Sequence, residues 1–501
     1  MGKLKHNLIY HLSYMILTFI LSLATAPYLS RVLGVDGTGI YSYVFSVAYY
    51  FYIATILGLT NYGNRAIAKV RNDRQKVSKT FWSIYFMQLT IGLVALAAYL
   101  IYIFFIAEAN FKLYYILFIP YVVSAVIDIN WFYFGLSDFK FTTIRSTVIK
   151  LISVICAFAF VKTKDDLVVY FIIMGSTYFF ISASLWARVK KNVDFYFPKF
   201  RESLVHLKPN LILFIPIFAV SVYMVMDKIM IKELSSITQN GYYENADKIV
   251  AKVLTVFSAV ATVMMPSVSN MVAQGKKDEI KALLRDTMQI SMFLGVGMTF
   301  GLVAVGRTFA PIFFGAEFQE AGVLIQLLSV IIVFSGWKAV LRSQYIIPYE
   351  KDKAYVISLV AGAVMNVIFN YHFIPIYRAR GAVIGTIAAE VTGFVIQTAA
   401  AAGDIDVWRM MREGAIFVLP GALMAGVVTL FLHLCNNGVF TLCCAILIGA
   451  AVYPVFAVLT MRVCDKDRLA YLHQRYFAFV GRKTFGGNES LDAAKTGELK
   501  K

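Results

Sequence analysis

The sequence predicts an all-α integral membrane protein of about fourteen transmembrane helices: two pseudo-symmetric six-helix lobes followed by two further helices. Three observations predict it. Hydrophobic residues make up 59% of the 501 residues and charged residues only 15%, whereas a soluble domain carries about 25% charged. The apolar residues come in runs that match the roughly 20 residues needed to cross a bilayer. Lys and Arg collect in alternate connections between those runs, as the positive-inside rule requires of a chain that crosses many times.

The runs lie near residues 9–30, 40–60, 80–105, 113–134, 143–162, 167–187, 211–231, 249–270, 287–307, 321–341, 354–375, 381–402, 414–434 and 439–461. The first has no small-residue cleavage site and further spans follow it, so it reads as a retained helix. With these spans, 34 of the 47 Lys and Arg residues fall in connections on the N-terminal side and nine on the opposite side. Both termini are therefore expected in the cytoplasm. The net charge of +18 is then a topology signal beside anionic lipid, with no need of a nucleic-acid partner.

Internal repetition sets the domain boundaries. "GTGIYSYVFSVA" from Gly37 aligns with "TQNGYYENADKIVA" from Thr238, with Gly39 opposite Gly241, an offset of 202 residues. Downstream, the basic "RNDRQK" from Arg71 falls opposite "GKKDEI" from Gly275. The offset spans six helices, an even number, so the halves share orientation about an axis along the membrane normal. That is the parallel-repeat plan of some secondary transporters, with the substrate site between the halves. The expected units are residues 1–205, 206–402, two extra helices in 403–461, and a cytoplasmic amphipathic helix with a disordered tail in 462–501.

Catalytic signatures are missing. There is no GxxxxGK[ST] loop, and "GVDGTG" from Gly34 follows no strand and opens a membrane helix. The six histidines show no metal spacing, and the five cysteines form no CxxC pair. No nucleophile–base pair stands out and the outer loops are short. The chain reads as a transporter, not an enzyme, with no cofactor and no metal.

Ionisable groups within spans cost about 2.5–3.5 kcal/mol each on insertion scales, so they face a cavity or one another. Asp128 and Lys150, on consecutive helices at similar depth, suit either an ion pair or a transport role. Lys228 and Lys252 lie near the outer ends of their spans, where snorkelling to headgroups competes with a role inside. Glu390, near mid-membrane, has no snorkelling route and is expected either to couple an ion or to pair with Lys338. Arg31, Arg65 and Arg342 stand at span ends. Positive groups outnumber negative ones, so the cavity is expected to be cationic and to attract an anion, which Arg chelates bidentately and Lys meets as a point charge. Gly297 with Gly301, and Gly381 with Gly385, read as helix-packing pairs.

"LSRVLGVDGTGIYSYVFSVAYYF" from Leu29, "GLTNYGNRAIAK" from Gly58, "WFYFGLSDFKFTTIRS" from Trp131 and "MDKIMIKELSSITQNGYYENADKI" from Met226 resemble, in that order, the motifs of polysaccharide flippases. These are bacterial exporters of lipid-linked oligosaccharide repeat units in the multidrug/oligosaccharidyl-lipid/polysaccharide (MOP) superfamily. The resemblance covers about residues 8–400. It implies a two-lobed bundle that carries an undecaprenyl-diphosphate-linked oligosaccharide from the inner to the outer leaflet of the plasma membrane by alternating access. A coupling ion is implied, as are glycosyltransferases and a polysaccharide polymerase as partners. On this resemblance Arg31, Arg65, Lys228, Lys252, Lys338 and Arg342 are the substrate-binding candidates. Glu390, Asp227 and Asp128 are the ion-coupling candidates, although Asp227 is also a natural partner for Lys228 or Lys252. A lipid II-type flippase and a multidrug exporter of the same superfamily are the alternatives.

Overall fold

The computed structural model describes residues 2–435, 438–466 and 470–471, with side chains from residue 20 onward except 262 and 263. The expected amphipathic helix and tail after 471 lie outside the described residues. The first part of the chain forms α1 (Gly2–Ile56), α2 (Leu59–Val70), α3 (Arg74–Ile101), α4 (Ala109–Leu117), α5 (Ile119–Val126), α6 (Phe139–Phe160) and α7 (Leu167–Ala183). The second part forms α8 (Leu207–Ser221), α9 (Asp227–Leu234), α10 (Ile237–Ala273), α11 (Lys277–Phe314), α12 (Gln319–Leu328), α13 (Ile331–Leu341), α14 (Asp352–Tyr377) and α15 (Ala379–Ala401). Then come α16 (Val407–Ala415), α17 (Val418–Leu434) and α18 (Val439–Cys464). No strand occurs among the described residues.

Among the described residues, eleven helical stretches are long and apolar enough to cross a membrane, or thirteen if each of two bent pairs is one span. This differs from the fourteen expected runs in two instructive ways. The runs at 9–30 and 40–60 share α1, which is broken at Gly34 with φ 70° and ψ −176°. Only glycine adopts that conformation without strain. The runs at 113–134 and 321–341 are each split, with bends of 44° and 45°. At the first bend Pro120 stands in the opening turn of α5, where its missing N–H costs nothing. Outward-facing side chains such as Val94 (67% exposed) and Phe440 (81%) are the face such helices turn to lipid.

Side chains sort into separate cores. One centres on Tyr43, Val44, Tyr99, Tyr115 and Phe171, and another on Phe81, Trp131, Phe132 and Leu185. In the second part, Phe314, Leu324, Ile332 and Val383 form one core, while Met424, Val428, Ala445 and Tyr453 join α17 and α18 to α11. Gly297 makes that last packing possible, since a Cβ there would meet the Tyr453 ring. At the start of α3, Asp73 accepts from the backbone N–H groups of Gln75 and Lys76 at 3.1 Å each, a cap worth about 1 kcal/mol.

The two parts meet where α1 crosses α10. A Cβ added to Gly39 would collide with the Ile237 carbonyl, and one added to Gly241 with the Val35 carbonyl. The contact is reciprocal at the offset of 202, as at an isologous two-fold contact. The same offset recurs in two hydrogen bonds, Thr238 Oγ1 to Asp36 at 2.6 Å and Ser42 Oγ to Glu244 at 2.8 Å. Asn240 Nδ2 donates to the Gly39 carbonyl at 2.9 Å, and Ser30 Oγ to Asn245 Oδ1 at 2.8 Å. Lys164 and Glu317 form an exposed pair at 2.9 Å beside the Gly34 break.

Overpacking a backbone contact of this kind costs about 1–3 kcal/mol. Gly241→Ala is expected to lower the thermal unfolding midpoint of the nanodisc-embedded protein by that equivalent. Gly426→Ala, at a helix position with nothing within 4 Å, is expected to be neutral or slightly stabilising. Equal midpoints for the two variants would remove the seam from its place in the fold.

Candidate functional site

The charged residues of the membrane helices converge on the second part of the chain. A cavity of about 320 Å³ opens between α10, α13, α14 and α15, with Tyr223, Asp247, Lys338, Arg342, Tyr355 and Glu390 among its walls. Lys338 and Glu390 pair at 2.9 Å, with side chains 17% and 9% exposed. Ser335 Oγ also donates to Glu390. Arg342 lies over the Tyr355 ring, 6.0 Å from its centroid. The cavity thus carries two cations and two carboxylates. Pairing offsets much of the cost of burying a charge, and here Lys338 pairs with Glu390 and Asp247 with Lys228.

Lys228 is not a snorkelling lysine. It is 15% exposed and held between Glu244 at 2.7 Å and Asp247 at 3.0 Å. Glu244 also takes Lys248 at 3.1 Å and the Ser42 hydroxyl from the first part of the chain. Asp227, the neighbouring residue, does not join this ion cluster. Its side chain is fully buried and is ringed by neutral donors: Tyr243 Oη at 2.6 Å, Asn370 Nδ2 at 2.6 Å and Thr386 Oγ1 at 2.7 Å. No cation forms an ion pair with it among the described residues. Gly385 makes room for this arrangement, because a Cβ there would overlap Asn370 Oδ1. That Asn370 oxygen and the Asn366 Nδ2 are buried without a hydrogen-bond partner among the described residues. Thr386 and Tyr243 also line the cavity, so the Asp227 network forms part of its wall.

The remaining candidates lie apart. Asp128 accepts from Asn130 N at 2.7 Å, Asn130 Nδ2 at 2.8 Å and Tyr52 Oη at 3.2 Å, and Arg145 acts on it electrostatically. Arg31 is exposed and donates to the Ile312 carbonyl at 2.5 Å, tying α1 to the end of α11. Arg65 is exposed on α2. Lys252 on α10 feels the like charges of Lys150 on α6 and Lys248, so lysines from the two parts of the chain lie within electrostatic reach of one another.

Sequence inspection picked out Asp227, Lys228, Lys338, Arg342 and Glu390, which the fold brings to one region. It missed Tyr243, Asn366, Asn370 and Thr386, because neutral polar residues in membrane helices read as ordinary packing. It also missed Glu244 and Asp247, although both stand in the quoted "GYYENADKI" stretch.

Removing one member of a buried pair strands the other charge, at about 3–5 kcal/mol. Lys338→Met and Glu390→Gln are each expected to lower thermal stability by that order. The double substitution is expected to recover most of the loss. Additive losses in a double-mutant cycle would show that the two groups are not coupled.

Comparison with known proteins completes the description. The profile described as "Polysaccharide biosynthesis protein" matches residues 4–272, and that described as "Lipid II flippase MurJ" matches residues 141–449. An Escherichia coli (strain K12) protein named for O-antigen transport is 21% identical over 393 residues, covering 77% of this chain and 94% of the relative. A Haloferax volcanii protein named as a low-salt glycan biosynthesis flippase is 25% identical over 230 residues, covering 44% of this chain and 46% of the relative. In fold, the chain is similar to the lipid II flippase MurJ in an inward closed conformation, with TM-score 0.70 and 16% identity over 90% of this chain and 99% of that one. It is also similar to an inward-facing multidrug resistance MATE transporter of the MOP superfamily, with TM-score 0.60 and 16% identity over 80% of this chain and 95% of that one. Given a profile match over more than half its length, the chain belongs to the polysaccharide biosynthesis protein family.

Proposed function

We propose that the protein is a flippase that moves an undecaprenyl-diphosphate-linked oligosaccharide repeat unit from the inner to the outer leaflet of the plasma membrane, by alternating access, for surface polysaccharide assembly. The observation that carries this reading is the family match together with relatives named for O-antigen transport and glycan flipping. The geometry supports it in three respects. Lys150 and Lys252 bring like charges together from the two parts of the chain, an arrangement that a diphosphate would stabilise. A groove of about 480 Å³ between α10, α11, α17 and α18, walled by Ile249, Leu294, Met298, Val428, Ile446 and Pro454, suits a prenyl chain. Asp227 is a buried carboxylate among neutral donors, which gains from a bound proton or monovalent cation.

Asp227 is accordingly the coupling group. Glu390 is already neutralised by Lys338, and Asp128 belongs to a separate hydrogen-bonded cluster. With both termini cytoplasmic, the closed seam at Gly39 and Gly241 faces outward, and the two six-helix units turn about it. The similarity to MurJ keeps a lipid II-type cargo as the second reading. A multidrug exporter is disfavoured, because the family match and the relatives named for O-antigen transport and glycan flipping concern glycans.

The test is protection of a fluorescent undecaprenyl-diphosphate-linked sugar in proteoliposomes with an imposed proton or sodium gradient. Lys252→Glu is expected to slow translocation at least tenfold with folding intact. Asp227→Asn is expected to leave a slow, gradient-independent rate. Wild-type rates equal to those of protein-free vesicles would end the flippase reading. Rescue of peptidoglycan synthesis, rather than of an accessory polymer, in cells lacking each pathway's own flippase would favour lipid II.

A further inference from the structure

The first part of the chain encloses a cluster of tyrosines that the charged site does not use. On α1, Tyr41, Phe45, Tyr49 and Tyr52 recur at helical spacing on one face. Their rings run as a stair: Tyr41 to Phe45 at 6.1 Å and 29°, Phe45 to Tyr49 at 6.1 Å and 26°, and Tyr49 to Tyr52 at 6.4 Å and 11°. Tyr121 on α5 stacks on Tyr52 at 5.1 Å and 15°, and Tyr178 on α7 meets Tyr121 edge-on at 4.8 Å. Tyr170 closes the other end against Tyr41 at 4.8 Å.

Tyr121 lies within electrostatic reach of Tyr178, Tyr52 and Tyr49, and Tyr41 within reach of Tyr170, Tyr178 and Tyr121. Tyr52 donates to Asp128 at 3.2 Å. No hydrogen bond joins the hydroxyl of Tyr49 or Tyr121 to another group among the described residues, and neither oxygen is among the fully buried unpartnered atoms, although Tyr121 as a whole is only 3% exposed. Such hydroxyls are open to a ligand. Where this core needs only a ring it uses phenylalanine, as at Phe118 and Phe171. Tyr49, Tyr52 and Tyr178 remain partly exposed. The cluster also abuts the second part of the chain, because Glu244 acts on both Tyr41 and Tyr170.

Ring faces carry negative potential and attract the polarised C–H bonds of a sugar ring, while phenol hydroxyls and a carboxylate exchange hydrogen bonds with its hydroxyls. We propose that Tyr41, Tyr49, Tyr52, Tyr121, Tyr170 and Tyr178, with Asp128, form a carbohydrate site that holds the glycan part of the cargo, apart from the lysines that meet its diphosphate. This inference rests on the flippase reading and names the part of the cargo that the first half of the chain recognises.

The experiment compares, on the full-length protein in phosphatidylethanolamine–phosphatidylglycerol nanodiscs, binding of sugar-free undecaprenyl diphosphate with binding of its glucose-, galactose- and N-acetylglucosamine-linked forms. Wild type is expected to hold at least one glycosylated lipid about tenfold more tightly than the sugar-free lipid. Tyr49→Phe with Tyr121→Phe keeps the rings and removes the unpartnered hydroxyls. It is expected to erase most of that preference and to leave sugar-free binding within about twofold. Tyr49→Ala is expected to erase the preference too, and because Tyr49 is partly exposed it is the variant to use should the pair fail to fold. Equal wild-type affinity for all four lipids, or a preference surviving both variants, overturns the carbohydrate site while leaving the diphosphate reading in place. Binding of none of the lipids by wild type overturns the flippase reading, and the carbohydrate site with it.

Discussion

The approach of α1 to α10 at Gly39 and Gly241 is the constraint on which the rest of the structure depends. Neither position has space for even a methyl group, so backbone meets backbone. Side chains flanking the glycines are thereby drawn into reach of the opposite part of the chain, and Ser42 takes hold of Glu244. Glu244, fixed from that side, takes Lys228. Successive residues on a helix point about 100° apart, so turning Lys228 toward the seam turns Asp227 toward α14 and α15. There it meets Asn370 and Thr386. The register of a buried carboxylate is thus set by two glycines on helices it does not belong to.

Much of this architecture is legible in composition and spacing, because lipid imposes strong rules. Long apolar runs and sided basic connections follow directly from the cost of burying charge. The weak likeness at an offset of 202 reappears as the contacts Asp36–Thr238 and Ser42–Glu244, which sequence identity alone could not foretell. The first two runs are two helices joined end to end by the kink at Gly34, with no loop between them, a closeness that hydropathy does not sense. The bend between α12 and α13 has no proline to announce it.

The site was legible only in its charges, and not in how they pair. Counting residues gave an excess of cations. In the structure Lys228 is held by Glu244 and Asp247, and Lys338 by Glu390, so the charged cavity has as many carboxylates as cations among its walls. Charge sign along a sequence says nothing about which distant residues meet, and burial selects for meeting. The tyrosine cluster escaped notice for a related reason. Aromatic residues at helical spacing are what any membrane helix core contains, and only its hydroxyls set this group apart.

Magnitudes rank these contacts. The bonds that join the two parts include neutral hydrogen bonds such as Ser30–Asn245, each worth about 0.5–1.5 kcal/mol, hydrogen bonds to carboxylates such as Ser42–Glu244, worth about 1.5–3 kcal/mol, and exposed pairs such as Lys164–Glu317, worth about 0–1 kcal/mol. The pairs within the second part are buried, and breaking one strands a charge at about 3–5 kcal/mol. Taken one at a time, the contacts across the glycine seam are weaker than the ion pairs around the charged cavity. Tyr41 and Tyr243, equivalent at the offset of 202, mark how the two parts differ. Tyr243 donates to Asp227 beside the charged cavity, whereas Tyr41 sits among rings and hydroxyls. The second part thus holds the buried carboxylates and their ion pairs and the first a cluster of phenols, two surfaces of different chemistry that the glycine seam holds against one another.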